Sequence, residues 1–411
     1  MGSTVIRSIA TQDRRFALAP GAGGDAIHRD PYYAYAVALL NTDAGPRGTG
    51  FALTLGPGTP LVCQAIDLLA APLVGREIEE LMASFGQTFN ALANHPQLRW
   101  LGPHKGVVQL ALAAITNACF DLWAKARGLP LWRLLLDLTP EQITALLDLR
   151  YLDDLLTPQA ATALIAEQIP SRPERSAVLR DGYPGYDTSV GWFGYSDAQV
   201  REHVRRSTAA GFGAVKLKVG SADAEHDLRR AAMVRDSVGP DVKLMLDANQ
   251  QWSVPQAMRM CAQLQPLNPY WIEEPTHPDD ILAHQALARA VAPMRIAVGE
   301  HIPNSVLFKN FIQAGAMHFV QVDCTRVGGV SEFLTVSLLA RCAGRPVVPH
   351  VGDMGQIHQH LVLFNRVALG HEVQFLEYIP HLRQHFVLPA QVEHGVYRIP
   401  QEPGSSADLH A

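Results

Sequence analysis

Val215-Lys216-Leu217-Lys218 is a short apolar run that ends on a charge, and the pattern returns six more times toward the C-terminus. The later runs are Lys243-Leu244-Met245-Leu246-Asp247, Tyr270-Trp271-Ile272-Glu273, Ile296-Ala297-Val298-Gly299-Glu300, Phe319-Val320-Gln321-Val322-Asp323, Val347-Val348-Pro349-His350 and Val373-Gln374-Phe375-Leu376-Glu377. Counted from Lys218, their last residues follow at steps of 29, 26, 27, 23, 27 and 27. Such a step holds one strand and one crossover helix, so each unit delivers an ionisable side chain to the C-terminal end of a parallel strand. That is how a TIM-like (β/α) barrel builds an active site. Residues 146–150 are the expected first strand and complete eight. The first crossover is long: it holds an extra helix near 158–168 and a Gly/Tyr/Trp-rich stretch, 182–195, read as a loop over the barrel mouth.

Upstream of the barrel the pattern changes. Apolar runs at 4–9, 35–41 and 50–55, separated by Gly, Pro and Asp, predict a small antiparallel meander, and 61–73, 76–92 and 105–126 carry helical periodicity. The expected organisation is an α+β unit over 1–135, a barrel over 136–378, and a proline-punctuated return segment over 379–411 that packs on the first unit. Within the barrel, Ser253 and Gln256 spell a capping box, and Gly211, Gly239 and Gly344 stand where helices should end.

Composition narrows the function. A chain of 411 residues with 48% hydrophobic and 18% charged residues can bury a large core, which excludes bulk disorder. A net charge of -5 without a basic run gives nucleic acid or an anionic membrane no footprint, leaving a small molecule as the expected partner. Five scattered cysteines with no C-x-x-C pair read as reduced thiols. No N-terminal apolar segment and no 18-residue apolar run is evident, so a cytoplasmic protein is expected.

Asp247, Glu273 and Glu300 end three successive strands and therefore lie side by side on the rim. Converging carboxylates repel unless a cation joins them, and an all-oxygen set suits Mg²⁺, one per active site. Lys216 and Lys218, two apart, share one face of their strand. Their mutual repulsion, with a divalent cation nearby, is expected to lower one pKa and make one of the two a usable base. Across the ring, Asp323 is placed to fix the tautomer of His350, leaving its other nitrogen as acid or base. His104 and His358 read as structural. Glu377, on the eighth strand, can support an enediolate. A base, an acid and a Lewis acid around one carbon point to abstraction of a proton α to a carboxylate.

These residues, in this order, resemble the enolase superfamily, mandelate racemase branch. The runs Pro96-Gln97-Leu98-Arg99-Trp100-Leu101-Gly102-Pro103, Leu149-Arg150-Tyr151-Leu152, Asp247-Ala248-Asn249-Gln250, Trp271-Ile272-Glu273-Glu274-Pro275, Gly299-Glu300-His301 and Arg326-Val327-Gly328-Gly329-Val330 are similar to those of L-fuconate dehydratases. The resemblance implies a (β/α)7β-type barrel with an N-terminal α+β capping domain. It implies Mg²⁺ on Asp247, Glu273 rather than Glu274, and Glu300, with Asn249 close by. Lys218 matches the base, Lys216 the support for the substrate carboxylate, and His350 with Asp323 the acid that helps the 3-hydroxyl leave as water. Gly23, Gly24, Asp25 and Tyr33 match a capping loop over the substrate. The implied protein is a homo-oligomeric hydro-lyase taking L-fuconate to 2-keto-3-deoxy-L-fuconate. Another aldonate or aldarate dehydratase, or a racemase or epimerase, is the nearest alternative, and a non-catalytic barrel the distant one.

Overall fold

The computed structural model describes residues 3–28, 32–43 and 45–410. Its first sheet is the expected meander, formed by Ile6–Ala17 (β1), Tyr32–Thr42 (β2) and Gly48–Thr54 (β3) in antiparallel order. β1 runs well past the apolar run that announced it. Its later residues, Thr11 to Arg15, are polar because β1 is a largely exposed edge strand, and edge strands protect themselves with charge.

β3 is buried along its whole length beneath the helix Gly106–Ala126. Two glycines make that contact possible: a Cβ on Gly48 or Gly50 would collide with the main chain around Ala114 to Ala118. This helix has 21 residues and is apolar enough to cross a membrane by length and composition, contrary to the expectation that no segment would qualify. With 89% of its apolar window buried inside the protein, it is the core helix of the capping unit. The helix expected over 76–92 breaks at Ser84 into Ile78–Ala83 and Phe85–Ala93. The break lets Gly86 pack directly on the carbonyl of Leu147.

The second sheet is the barrel, a (β/α)7β arrangement. Its strands are Tyr183–Gly191 (β4), Ala214–Lys218 (β5), Lys243–Asp247 (β6), Trp271–Glu273 (β7), Ile296–Val298 (β8) and Phe319–Val320 (β9), each parallel to the next. A single Val320–Val347 bridge then takes the place of a seventh strand, and Leu376–Tyr378 (β10) closes the ring against β4.

Residues 146–150 form no strand. Leu146, Leu147 and Leu149 are buried, with Leu146 O accepting from Ser331 Oγ at 2.6 Å. The first barrel strand is instead drawn from the stretch expected to be a mouth loop. Tyr183, Tyr186 and Val190 are buried strand formers, and Gly191 admits Leu217 of the neighbouring strand. Only Trp192 to Tyr195 keeps the loop role, with the Phe193 amide donating to Gly24 O at 3.0 Å.

Ser253 caps its helix without a side-chain hydrogen bond, so that capping box is not made; Thr139 with Gln142 and Ser196 with Gln199 form the real ones. The five cysteines are free thiols. Toward the C-terminus, Ser405 donates to buried Asp121, and Asp408 pairs with Lys125 at 2.6 Å.

Candidate active site

The register of β5, β6 and β7 pairs Lys218 with Asp247 and Asp247 with Glu273, so parallel pairing alone lines these side chains along one rim. Glu300 lies two residues beyond β8, and its carbonyl accepts from Arg326 Nε at 2.7 Å. Asp247, Glu273 and Glu300 each offer an oxygen within 4.8 Å of the others. The expected carboxylate trio is assembled.

Lys216 sits deeper than Lys218 and is fully buried. Its Nζ lies 2.9 Å from Glu273, 2.8 Å from Glu377 and 3.7 Å from Asp247, with the Tyr186 hydroxyl at 3.5 Å. Lys218 Nζ is 2.5 Å from Asp247 Oδ2. The expected lowering of one lysine joined repulsion to a divalent cation on the acids; with those acids uncompensated, both lysines move the other way. Burial and Lys216 do press the Lys218 proton affinity down, but Asp247, Glu300 and Asp25 more than reverse it, and Lys218 is raised. Lys216 is likewise raised well above its usual value, because Glu273 and Glu377 overcome burial. Burial lifts Glu273 to about 8, opposed by Lys216.

His350 faces the trio from the other side. Its Nε2 is 3.1 Å from Glu300 and its Nδ1 is 2.7 Å from Asp323. Burial opposes its charge, but Glu300 and the Asp323 hydrogen bond raise it to about 9. Glu377 accepts from the Val351 amide at 2.9 Å, and although burial opposes its charge, Lys216 holds it low. The Asn249 backbone N–H donates to Asp247 at 2.9 Å, while its side-chain oxygen is buried without a partner among the described residues.

In the capping loop, Gly23 adopts a left-handed φ of +72° and Gly24 takes the Phe193 hydrogen bond. Asp25 is held by His28 at 3.0 Å; burial opposes its ionisation, but His28 and the nearby charge of Lys218 lower its pKa. Burial raises Tyr33, which also feels Lys218, Glu377 and Asp25. Tyr35 is structural, with its hydroxyl donating to Gly352 O at 2.9 Å.

Some partners escaped the sequence. Trp271 Nε1 donates to Glu273 at 3.1 Å, and strand alternation had pointed only at the acid. His301 contacts Glu274 and Glu300, both at 3.1 Å; burial opposes its charge, but the two acids raise it to about 10. His358, read as a structural histidine, lies 2.9 Å from Asp323.

An N-terminal α+β unit over a (β/α)7β barrel, with acid and base groups flanking a strand-end carboxylate trio, is the architecture of the enolase superfamily. The chain belongs to it, in the mandelate racemase branch: residues 199–411 match the family described as Enolase C-terminal domain-like. Over 414 residues it is 39% identical to mitochondrial enolase superfamily member 1 of Homo sapiens, covering 98% of this chain and 93% of that protein. The crystal structure of that human protein superposes with a TM-score of 0.96, covering 99% of this chain and 95% of that one. The chain is 40% identical over 418 residues to L-galactonate dehydratase of Hypocrea jecorina, covering 100% and 93% of the two. L-talarate/galactarate dehydratase from Salmonella typhimurium LT2, liganded with Mg and L-lyxarohydroxamate, superposes with a TM-score of 0.78 at 27% identity, covering 100% and 92%.

Proposed function

We propose that the protein is a Mg²⁺-dependent acid-sugar dehydratase that removes water from a six-carbon aldonate. The observation that carries this reading is that Lys218 Nζ and His350 Nε2 contact opposite members of one carboxylate trio, Asp247 at 2.5 Å and Glu300 at 3.1 Å. A substrate lying over the trio then has a proton acceptor on one side and a proton donor on the other.

The donor set fits the metal. Asp247, Glu273 and Glu300 supply three hard oxygens, the buried Asn249 side-chain oxygen lacks a partner among the described residues, and hard oxygens suit Mg²⁺. When bound, Mg²⁺ offsets the negative charge that gathers on the substrate carboxylate as the α-proton leaves. The protein's own groups do the rest. Lys218, neutral once the charges of Asp247 and Glu300 that raise it are offset, takes the proton from C2, and the C–H electron pair becomes the C2–C3 double bond. The C3–O bond breaks toward His350, whose Nε2 proton leaves with the hydroxyl as water. The resulting enol ketonises to the 2-keto-3-deoxy acid. Lys216, held between Glu273 and Glu377, lends positive charge beneath the substrate carboxylate, and Asp25 and Tyr33 close the site from above.

L-fuconate is the proposed substrate on the motif resemblance, and the Hypocrea jecorina relative supports L-galactonate as the second reading. The two acids share their configuration from C2 to C5 and differ only in the oxygen on C6. Choice between them therefore falls to groups at the far end of the pocket, away from the acid and base. An aldonate panel read with semicarbazide for α-keto acid, with EDTA and Mg²⁺ add-back, tests the proposal. The expected result is keto acid from both L-galacto aldonates, lost with EDTA and restored by Mg²⁺. Epimers without keto acid would replace the dehydratase with an epimerase.

A further inference from the structure

The Asp323 carboxylate serves two histidines. Oδ2 faces His350 Nδ1 at 2.7 Å. Oδ1 accepts from the Thr325 amide and hydroxyl, both at 2.7 Å, and lies 2.9 Å from His358 Nε2. The ionised Asp323 Oδ1 can only accept, so the shortest of the Nε2 contacts takes its proton from His358, with the Cys324 amide and Sγ farther off at 3.2 and 3.3 Å. On its far side, His358 Nδ1 lies 3.7 Å from Asp353, and among the described residues neither that nitrogen nor the Asp353 oxygens has a hydrogen-bond partner. Asp323, His358 and Asp353 are buried, in a row that runs inward from His350.

The two sets of donors to Oδ1 are not equivalent. Thr325 belongs to the same turn as Asp323 and moves with it. His358 comes from the separate helix Ile357–Leu369, so it ties the carboxylate to a second element. With Oδ1 held on one side, only Oδ2 is left to turn the His350 ring, and its Nε2 stays aimed at the trio.

We propose that His358 is a positioning residue for protonation of the leaving hydroxyl: through Asp323 it fixes the His350 ring, while proton removal by Lys218 proceeds without it. The inference rests on the dehydratase reading above. Outer partners that orient an active imidazole are worth roughly 10- to 100-fold in activity where they have been removed around metal-bound histidines, and a similar loss is expected here.

The test separates the two halves of the reaction by leaving group. L-fuconate must lose hydroxide and needs an acid. In 3-deoxy-3-fluoro-L-fuconate, Lys218 takes the C2 proton, the C3–F bond breaks, and fluoride departs with the electron pair as a weak base that needs no proton. His358→Leu should lower kcat for L-fuconate roughly 10- to 100-fold with KM little changed, while fluoride release, read with an ion-selective electrode, stays within about threefold. His358→Gln, whose amide N–H reaches Oδ1, should recover most of the loss. Where His358→Leu does not accumulate as folded protein, His358→Asn, too short to reach Asp323, carries the same expectation. Equal losses of both reactions, or no loss of either, overturn the role of His358 while the unaltered enzyme still acts on both substrates. An unaltered protein that releases neither keto acid nor fluoride overturns the dehydratase reading instead.

Discussion

Lys216 is the most exacting group to remove, because it is the ammonium at 2.8–2.9 Å from two buried acids, Glu273 and Glu377, and its own side chain is 1% exposed. Lys216→Met keeps the volume and deletes the charge. Two carboxylates then face each other in a dry interior, and breaking a buried pair from one side costs about 3–5 kcal/mol. The loss should fall toward the lower end, about 3 kcal/mol, because Glu273 is already lifted to about 8 by burial and can take a proton at neutral pH. Glu377→Gln alone should also destabilise, since it strips one counter-charge from Lys216. The double variant should recover roughly half of the single losses, because the interaction is shared rather than additive. The assay is urea unfolding in EDTA at pH 7.5, compared at constant slope. A loss below about 1 kcal/mol for Lys216→Met, or strictly additive variants, would show that these contacts do not hold the site together.

At the chemical step, Lys218→Ala should abolish both keto-acid formation and exchange of the substrate α-proton in deuterated water. His350→Asn should lower dehydration by roughly 10²–10⁴, and full activity there would refute its role as the acid. In the EDTA-treated protein, His350 at about 9 and His301 at about 10 both lie above the ordinary histidine value. Groups raised in the folded state stabilise below their unfolded pKa, so stability should be highest below about pH 6.5 and fall as pH rises toward 10. Urea midpoints across that range measure it, and saturating Mg²⁺ should flatten the slope by engaging Glu300, which both histidines contact. A rising midpoint would reverse the sign of the argument. Gly299→Ala drives a Cβ into the Gln321 main chain just past β9, displacing the adjacent Glu300. It should weaken Mg²⁺ binding at least tenfold by titration calorimetry, and native affinity would show that the rim tolerates the shift.

What the sequence discloses and what it hides follow one physical rule. A barrel strand must bury its length and expose its C-terminal end, so a charge after an apolar run is conspicuous, and Lys218, Asp247, Glu273, Glu300, Asp323, His350 and Glu377 could all be named with their neighbours around the ring. The length of each strand was less legible: β9 shrinks to two residues and the run before His350 to a single bridge, because backbone pairing there depends on twist and closure rather than on side chains. The first strand was misplaced for a related reason. The leucines at 146, 147 and 149 satisfy a strand pattern while serving the packing near the capping unit, and the tyrosines of β4 read as loop because glycines separate them.

His358 was hidden by a different mechanism. It stands in a helix buried on nearly every side beside other buried polar residues, Gln359, His360 and Asn365, so nothing in the sequence singles it out, and only the fold brings it to Asp323 across 35 residues. Its role turns on the Asp323 contact, since a buried imidazole is costly unless something accepts its proton. Strand-end charges disclose the groups that meet the substrate, because they must reach the open rim. The groups that aim them lie one layer farther in, where burial takes away the signal in the sequence and the geometry of the hydrogen bonds supplies it.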